Sequence, residues 1–217
     1  MNFRTRIKIC GITNGADARH AIAAGVDALG FIFAAKSPRK VEPELVREIV
    51  GEIPPFVDAV GVFVNEDPDL VSDIAKYCGL TMIQLHGQEN VDYCRLMPRA
   101  VIKAFQVKND TPGADFQSFK GVVAGYLLDT YHETMAGGTG KSFDWEIAGR
   151  LEIPGPVILA GGIGPANVET AIRTMNPFAV DVNSGVETEP GIKDHVKINE
   201  LVSIVRRFDA ELMDRQF

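Results

Sequence analysis

Three cysteines, a single tryptophan, a shortage of positive charge and no long apolar run set the first limits on this chain. Cys10, Cys78 and Cys94 are odd in number and far apart, with no CxxC pair and no histidine pattern beside them. That spacing argues against a disulfide framework and against a zinc site, so each is a thiol to be judged singly. The longest apolar stretches, VVAGYLL and PVILAGGI, fall far short of the roughly 20 residues that cross a bilayer. MNFRTRIKIC carries no signal-peptide core ahead of its first β-rich run, so a cytoplasmic location and no membrane partner are expected. Lys and Arg number 22 against 29 Asp and Glu, a net charge of -7 that offers nucleic acid no footprint. A local basic pocket could still hold an anionic metabolite. CGITNG, after the first β-rich run, lacks the GxGxxG spacing of a dinucleotide turn, which weakens a doubly wound open sheet.

What is present is an alternation. With 217 residues, 46% hydrophobic and 24% charged, the chain has the balance of one globular domain spanning residues 1–217. Short β-rich runs fall at residues 6–10, 28–34, 59–65, 82–86, 101–107, 125–129, 157–160 and 179–183, separated by helical patterns and turn residues. About eight such strands is the number that a single α/β fold of the (β/α)8 TIM barrel type requires, with its active site at the C-terminal face of the parallel strands. NGADARHAIAAG opens on a possible Asn14 cap and stops at Gly25; NEDPDLVSDIAKYCG stops at Gly79. Residues 108–122, with Pro112 and Gly113, predict a loop and a poor helix. Residues 194–212 place Val196, Ile198, Leu201, Ile204, Val205 and Phe208 at the spacing of a closing amphipathic helix. Cys78 and Cys94 fall in helical segments and read as packing residues.

Side chains two apart on a strand share a face. Lys8 with Cys10, Gln84 with His86, Leu127 with Asp129, and Asp181 with Asn183 therefore converge on the mouth of a barrel. LAGGIGPANV after the seventh strand and DVNSGVE after the eighth occupy the position where such barrels commonly bind phosphate. Gly161, Gly162 and Gly185 can present main-chain N–H groups, and Ser184 a hydroxyl, although either turn alone also reads as a tight turn. Around the ring these turns lie between Cys10 and Asp129. A thiolate at Cys10 could serve as general base and a protonated Asp129 as general acid for proton transfer on a sugar phosphate. Packing and helix capping are the alternatives for these two residues. The acid role requires burial or a nearby anion, and the base role requires a neighbouring cation. Lys8 is the candidate cation, unless it pairs instead with Asp181 on the adjacent strand.

KICGIT, GFIF with KSPRKV, VGVFVN, QLHGQE, LLDT, GGTGKSFDW, LAGGIGPANV and DVNSGVE followed by PGIKD run in this order along essentially the whole chain. Together they resemble the motifs of the phosphoribosylanthranilate isomerases, barrel enzymes of tryptophan biosynthesis. The resemblance implies an Amadori rearrangement of N-(5-phosphoribosyl)anthranilate without metal or organic cofactor. It implies that Asp129 protonates the ribose ring oxygen and that Cys10 removes the C2 proton. It also implies that Arg39, in KSPRK, holds the anthranilate carboxylate beside Cys10, on the side away from the phosphate turns. His86 and Asp181 stand as substrate-orienting or structural residues. Trp145 is expected to anchor the sixth loop, and AGGTGK before it to form a lid. Asn183 stands where the family often has serine, and Lys40 where an aromatic is common. A monomer is expected.

Overall fold

The computed structural model describes residues 4–106, 114–129 and 151–214. Strands β1 (Arg6–Ile9), β2 (Ala28–Ile32), β3 (Asp58–Phe63), β4 (Met82–Leu85), β5 (Ala100–Gln106), β6 (Gly125–Asp129), β7 (Val157–Ala160) and β8 (Ala179–Val182) pair in parallel and in order. β1 then pairs with β8, Lys8 opposite Asp181 and Ile9 opposite Val182, and the barrel closes. Helices α1 (Gly15–Ala24), α2 (Pro43–Val50), α3 (Pro68–Cys78), α4 (Val91–Arg95), α5 (Ala114–Gln117), α6 (Val168–Met175) and α7 (His195–Asp214) follow the strands.

Local chemistry explains the crossovers. The Asn14 side chain accepts from Asp17 N and starts α1, and Gly25 ends it in the left-handed region at φ 91. α3 repeats the device, with the Asp67 carboxylate capping, Pro68 in the first turn and Gly79 stopping at φ 72. The period-two pattern divides the burial into two cores. Ile7, Ile9, Leu29, Phe31 and Leu85 pack outward against the helices. Val60, Ile102, Leu127, Ile158 and Ala179 fill the barrel interior.

Several ladders end a residue or two before the apolar runs do. Pairing in β1, β4 and β8 stops at Ile9, Leu85 and Val182, so Cys10, His86 and Asn183 stand one step beyond, at the rim. The chain turns away there. Cys10 N still donates to Val182 O at 2.8 Å, and Ile12 N to Gly30 O at 3.0 Å, so the rim is pinned. α5 is a single short turn, in line with the weak pattern around it, and residues 108–113 lie outside the described residues. α7 runs two residues past the expected end. Cys78 and Cys94 are buried in the helix layer, and burial first of all pushes each thiol up to about 11.

One element has no counterpart in the sequence reading. After β8 a 3₁₀ turn, Ser184–Val186, leads into a two-stranded ribbon of β9 (Glu187–Glu189) and β10 (Ile192–Lys193) that reverses at Gly191, φ 88. The buried Asp17 carboxylate accepts Lys193 N at 2.9 Å and faces His195 Nε2 at 2.8 Å, tying the ribbon to α1 and to the start of α7.

Candidate active site

A cavity of about 390 Å³ opens at the C-terminal mouth of the barrel. Cys10, Arg39, His86, Asp129, Gly161, Gly162, Asp181 and Ser184 all line it, so eight of the nine expected site residues meet in one place. Gly185 does not line it. A β-carbon there would run into the carbonyl of Ile163, so Gly185 lets the β7 and β8 loops pack against each other. Trp145 and AGGTGK lie outside the described residues.

Cys10 is 5% exposed and stands above a buried ion pair, Lys8 Nζ to Asp181 Oδ2 at 2.7 Å. The expected pairing of Lys8 with Asp181 is therefore present, directly beneath the Cys10 thiol. Burial raises the Cys10 pKa most strongly; Lys8 pulls it down, Asp181 pushes it back up, and the net direction is up. Lys8 thus acts in the expected direction, toward thiolate, while also pairing with Asp181, but burial of the sulfur outweighs it. Burial works against the Lys8 ammonium, but the Asp181 charge and the Cys10 sulfur outweigh it and its pKa rises. The second oxygen of Asp181, Oδ1, is buried without a hydrogen-bond partner.

Across the cavity, His86 Nε2 lies 3.1 Å from Asp129 Oδ2, and Gln84 Nε2 lies 3.2 Å from His86 Nδ1. With the Gln84 amide nitrogen donating to Nδ1, the ring proton sits on Nε2 and points at Asp129. Gln84 Oε1, also buried, has no partner.

Arg39 does more than line the wall. Its Nε donates to Glu187 Oε1 at 2.8 Å and its Nη2 to Glu187 Oε2 at 2.6 Å. Lys193 Nζ donates to the same Glu187 Oε1 at 2.8 Å and to Asn183 Oδ1 at 3.1 Å. Burial alone would raise the Glu187 carboxyl, but the bonds from Arg39 and Lys193 win and hold it at about 2. The expectation that Arg39 lies on the side away from the phosphate turns is corrected here. Its guanidinium reaches over β1 to the residue immediately after the Ser184–Val186 turn. Gly11, at φ 72, permits that crossing, because a β-carbon would sit 2.8 Å from Arg39 Cδ and 2.7 Å from Asn183 Oδ1. Glu187 and Lys193 escaped the sequence reading as site residues, although SGVE and PGIKD carry them; charged residues in so short a stretch after the last strand were the available signal.

Gly161 and Gly162 both take the left-handed conformation, at φ 88 and φ 67. Asn167 fixes their loop, its Oδ1 accepting Gly164 N at 2.9 Å and its Nδ2 donating to Gly162 O at 3.0 Å. A pinned glycine loop facing a 3₁₀ turn, at the start of α6, is a fitting cradle for an anion. Among the described residues, no group of three or more His, Cys, Asp or Glu is arranged to hold a metal ion, and no helix is long and apolar enough to cross a membrane.

A closed eight-stranded barrel with a thiol, a carboxylate and a glycine loop at its C-terminal mouth is a (β/α)8 barrel of the kind that enzymes use, and known proteins narrow the class. The family model of N-(5'phosphoribosyl)anthranilate (PRA) isomerase matches residues 7–204, and the chain belongs to that family. It is 49% identical over 201 residues to the N-(5'-phosphoribosyl)anthranilate isomerase of Trichlorobacter lovleyi, covering 91% of this chain and 96% of the relative. It is 47% identical over 203 residues to that of Citrifermentans bemidjiense, covering 94% and 98%. The crystal structure of the Thermotoga maritima isomerase superposes with TM-score 0.85 at 42% identity, over 94% of this chain and 99% of that one. A phosphoribosylanthranilate isomerase solved in complex with reduced 1-(o-carboxyphenylamino)-1-deoxyribulose 5-phosphate superposes with TM-score 0.82 at 40% identity, again over 94% and 99%.

Proposed function

We propose that this chain converts N-(5-phosphoribosyl)anthranilate into 1-(2-carboxyphenylamino)-1-deoxyribulose 5-phosphate, an Amadori rearrangement in tryptophan biosynthesis carried out without cofactor. The observation that carries the assignment of roles is the thiol of Cys10 and the carboxylate of Asp129 facing one cavity that Arg39, Gly161, Gly162 and Ser184 also line. Asp129 protonates the ribose ring oxygen, and the ring opens to a Schiff base. Cys10 then takes the proton from C2, giving an enolamine that tautomerises to the ketone. Gly161, Gly162 and Ser184 hold the phosphate, with Gly185 letting their two loops meet; Arg39 holds the anthranilate carboxylate.

The acting pair must carry its proton on the carboxylate and not on the sulfur. For an ordinary cysteine and aspartate, moving the proton that way costs about 6 kcal/mol. Burial of the sulfur adds to that cost, and the Lys8 charge beneath it offsets part. On the acid side, turning the Gln84 amide over would place an acceptor at His86 Nδ1, leaving Nε2 as a lone pair that receives the protonated Asp129. Asp181 orients Lys8.

Purified protein should consume phosphoribosylanthranilate, followed by loss of its fluorescence. C10S and D129N should each lose turnover on the order of 100-fold or more while still binding the reduced product analogue. Turnover that survives both substitutions would sink the assignment. Residues 1–217 are proposed to act as one domain in the cytoplasm. For assembly, a monomer stands beside one alternative: Phe56 is fully exposed at a positive φ of 73, and a structure of the Thermotoga maritima relative is described as monomers generated from a dimeric enzyme. A dimer that covers Phe56 would show directly in sedimentation velocity.

A further inference from the structure

We propose that Glu187 is a specificity-determining residue: by holding Arg39 at a fixed reach from the phosphate turn, it selects substrates whose amine substituent carries a carboxylate. The proposal rests on the reading that Arg39 meets that carboxylate. Glu187 itself touches no ligand in this scheme; it is a positioning residue.

Three features point to it. The first is geometry. Glu187 takes up Nε and one bond from Nη2 of Arg39, at 2.8 and 2.6 Å, with the carboxylate side chain only 4% exposed and the arginine side chain 17% exposed. A guanidinium has five donors in a rigid plane. With the Nε edge occupied, the end formed by Nη1 and Nη2 remains for a second planar carboxylate, in the bidentate mode that arginine favours.

The second is charge. A carboxylate paired to Arg39 alone would cancel the attraction that a substrate anion needs. Lys193, fully buried, supplies a second cation to the same Glu187 oxygen at 2.8 Å, and Gly191 N donates there at 3.2 Å. Two cations share one anion, and the cluster keeps a net positive charge toward the cavity.

The third is connectivity. Asn183 to Glu187 is one short stretch of chain: Ser184 lines the cavity, the 3₁₀ turn ends at Val186, and Glu187 follows at once. The phosphate cradle and the carboxylate anchor are therefore joined by three residues of pinned backbone. Their separation is set before the substrate arrives, so the ordering of a long side chain is not charged against binding. A ligand with phosphate and carboxylate at the matching distance gains both contacts; one lacking the carboxylate leaves the partly buried guanidinium end without that partner.

The test compares two reduced product analogues, one bearing the ortho carboxylate on the phenyl ring and one without it, by fluorescence titration. Wild-type protein should prefer the first by on the order of 30-fold or more. E187Q removes the bidentate hold. E187D keeps the charge for Lys193 but is too short to reach both arginine nitrogens, so it guards against a fold defect in E187Q. Each should reduce the preference by about tenfold, through weaker binding of the carboxylate analogue alone, and raise KM for phosphoribosylanthranilate with kcat changed less than about threefold. Equal weakening of both analogues, or an unchanged preference in folded E187D, would overturn the role of Glu187. A wild-type protein indifferent to the carboxylate would instead overturn the reading of Arg39, and the proposal with it.

Discussion

Adding one methyl group to Gly30 should damage the site more than the fold. An alanine β-carbon there would lie 2.8 Å from Cys10 Sγ, 3.0 Å from Cys10 Cα and 3.0 Å from Lys8 Cε. Carbon contacts settle at about 3.5–4.0 Å, so the thiol and its lysine must give by about 0.7–1 Å. The backbone offers little retreat, because Cys10 N is bonded to Val182 O and Ile12 N to Gly30 O on the two flanking sides. Overpacking of this kind costs about 1–3 kcal/mol of stability. Displacing a reacting group by about 1 Å costs on the order of 100-fold in rate. G61A is the matched control, one strand over and on the outer face, where the methyl would meet Leu80 Cδ1 and, at 2.8 Å, Phe63 Cε2. Urea unfolding and steady-state turnover should separate the two: both variants lose stability, and G30A alone loses kcat, by about 10- to 100-fold. If folded G30A kept the wild-type kcat, the position of Cys10 could not be what the reaction depends on.

Three further outcomes follow from buried charges and thiols. K8M should cost about 3–5 kcal/mol, because it leaves the Asp181 carboxylate unpaired in a dry interior, whereas K8M/D181L should cost less than K8M alone in the same urea assay. A carboxyl held at about 2 in the folded state stabilises the protein above its ordinary value of 4.5, and that contribution is lost as the pH falls through this window toward 2. E187Q should therefore flatten the fall in urea midpoint across this range, and an unchanged slope would show that other carboxylates control it. Cys78 and Cys94, pushed up to about 11, should resist alkylation in the folded protein at pH about 8, and mass spectrometry of rapid labelling there would contradict their burial.

The barrel was legible because its signals are local and repeated. Alternation of β-rich and helical runs, glycine stops such as Gly25 and Gly79, and polar residues sharing a strand face all act within a few residues of each other. The site residues followed from the same register, since Cys10, His86 and Asp129 occupy strand ends whose inward direction the period of two dictates. The ribbon from Glu187 to Lys193 was not legible, because its strands are three and two residues long and carry no periodic pattern. Nor could the protonation of Cys10 be read from Lys8 alone. It depends on how deeply the sulfur is buried and on Asp181, which is distant in sequence. The reach of Arg39 to Glu187 spans 148 positions, a distance at which only the closed barrel brings side chains together.

Closing the ring through β1 and β8 also sets the order in which the protein can be made. Asp181, the partner of Lys8, comes 173 residues later, and Thr5 N waits for the Asp209 carboxylate, 204 residues on. At about 5–20 residues per second on the ribosome, β1 emerges roughly 9–35 s before the strand that completes its pairing. Through that interval Ile7, Ile9 and the Cys10 thiol have only one neighbouring strand, β2, to lie against. The nascent chain therefore exposes the Cys10 thiol and an open sheet edge first, and shelters both only when the last strand docks.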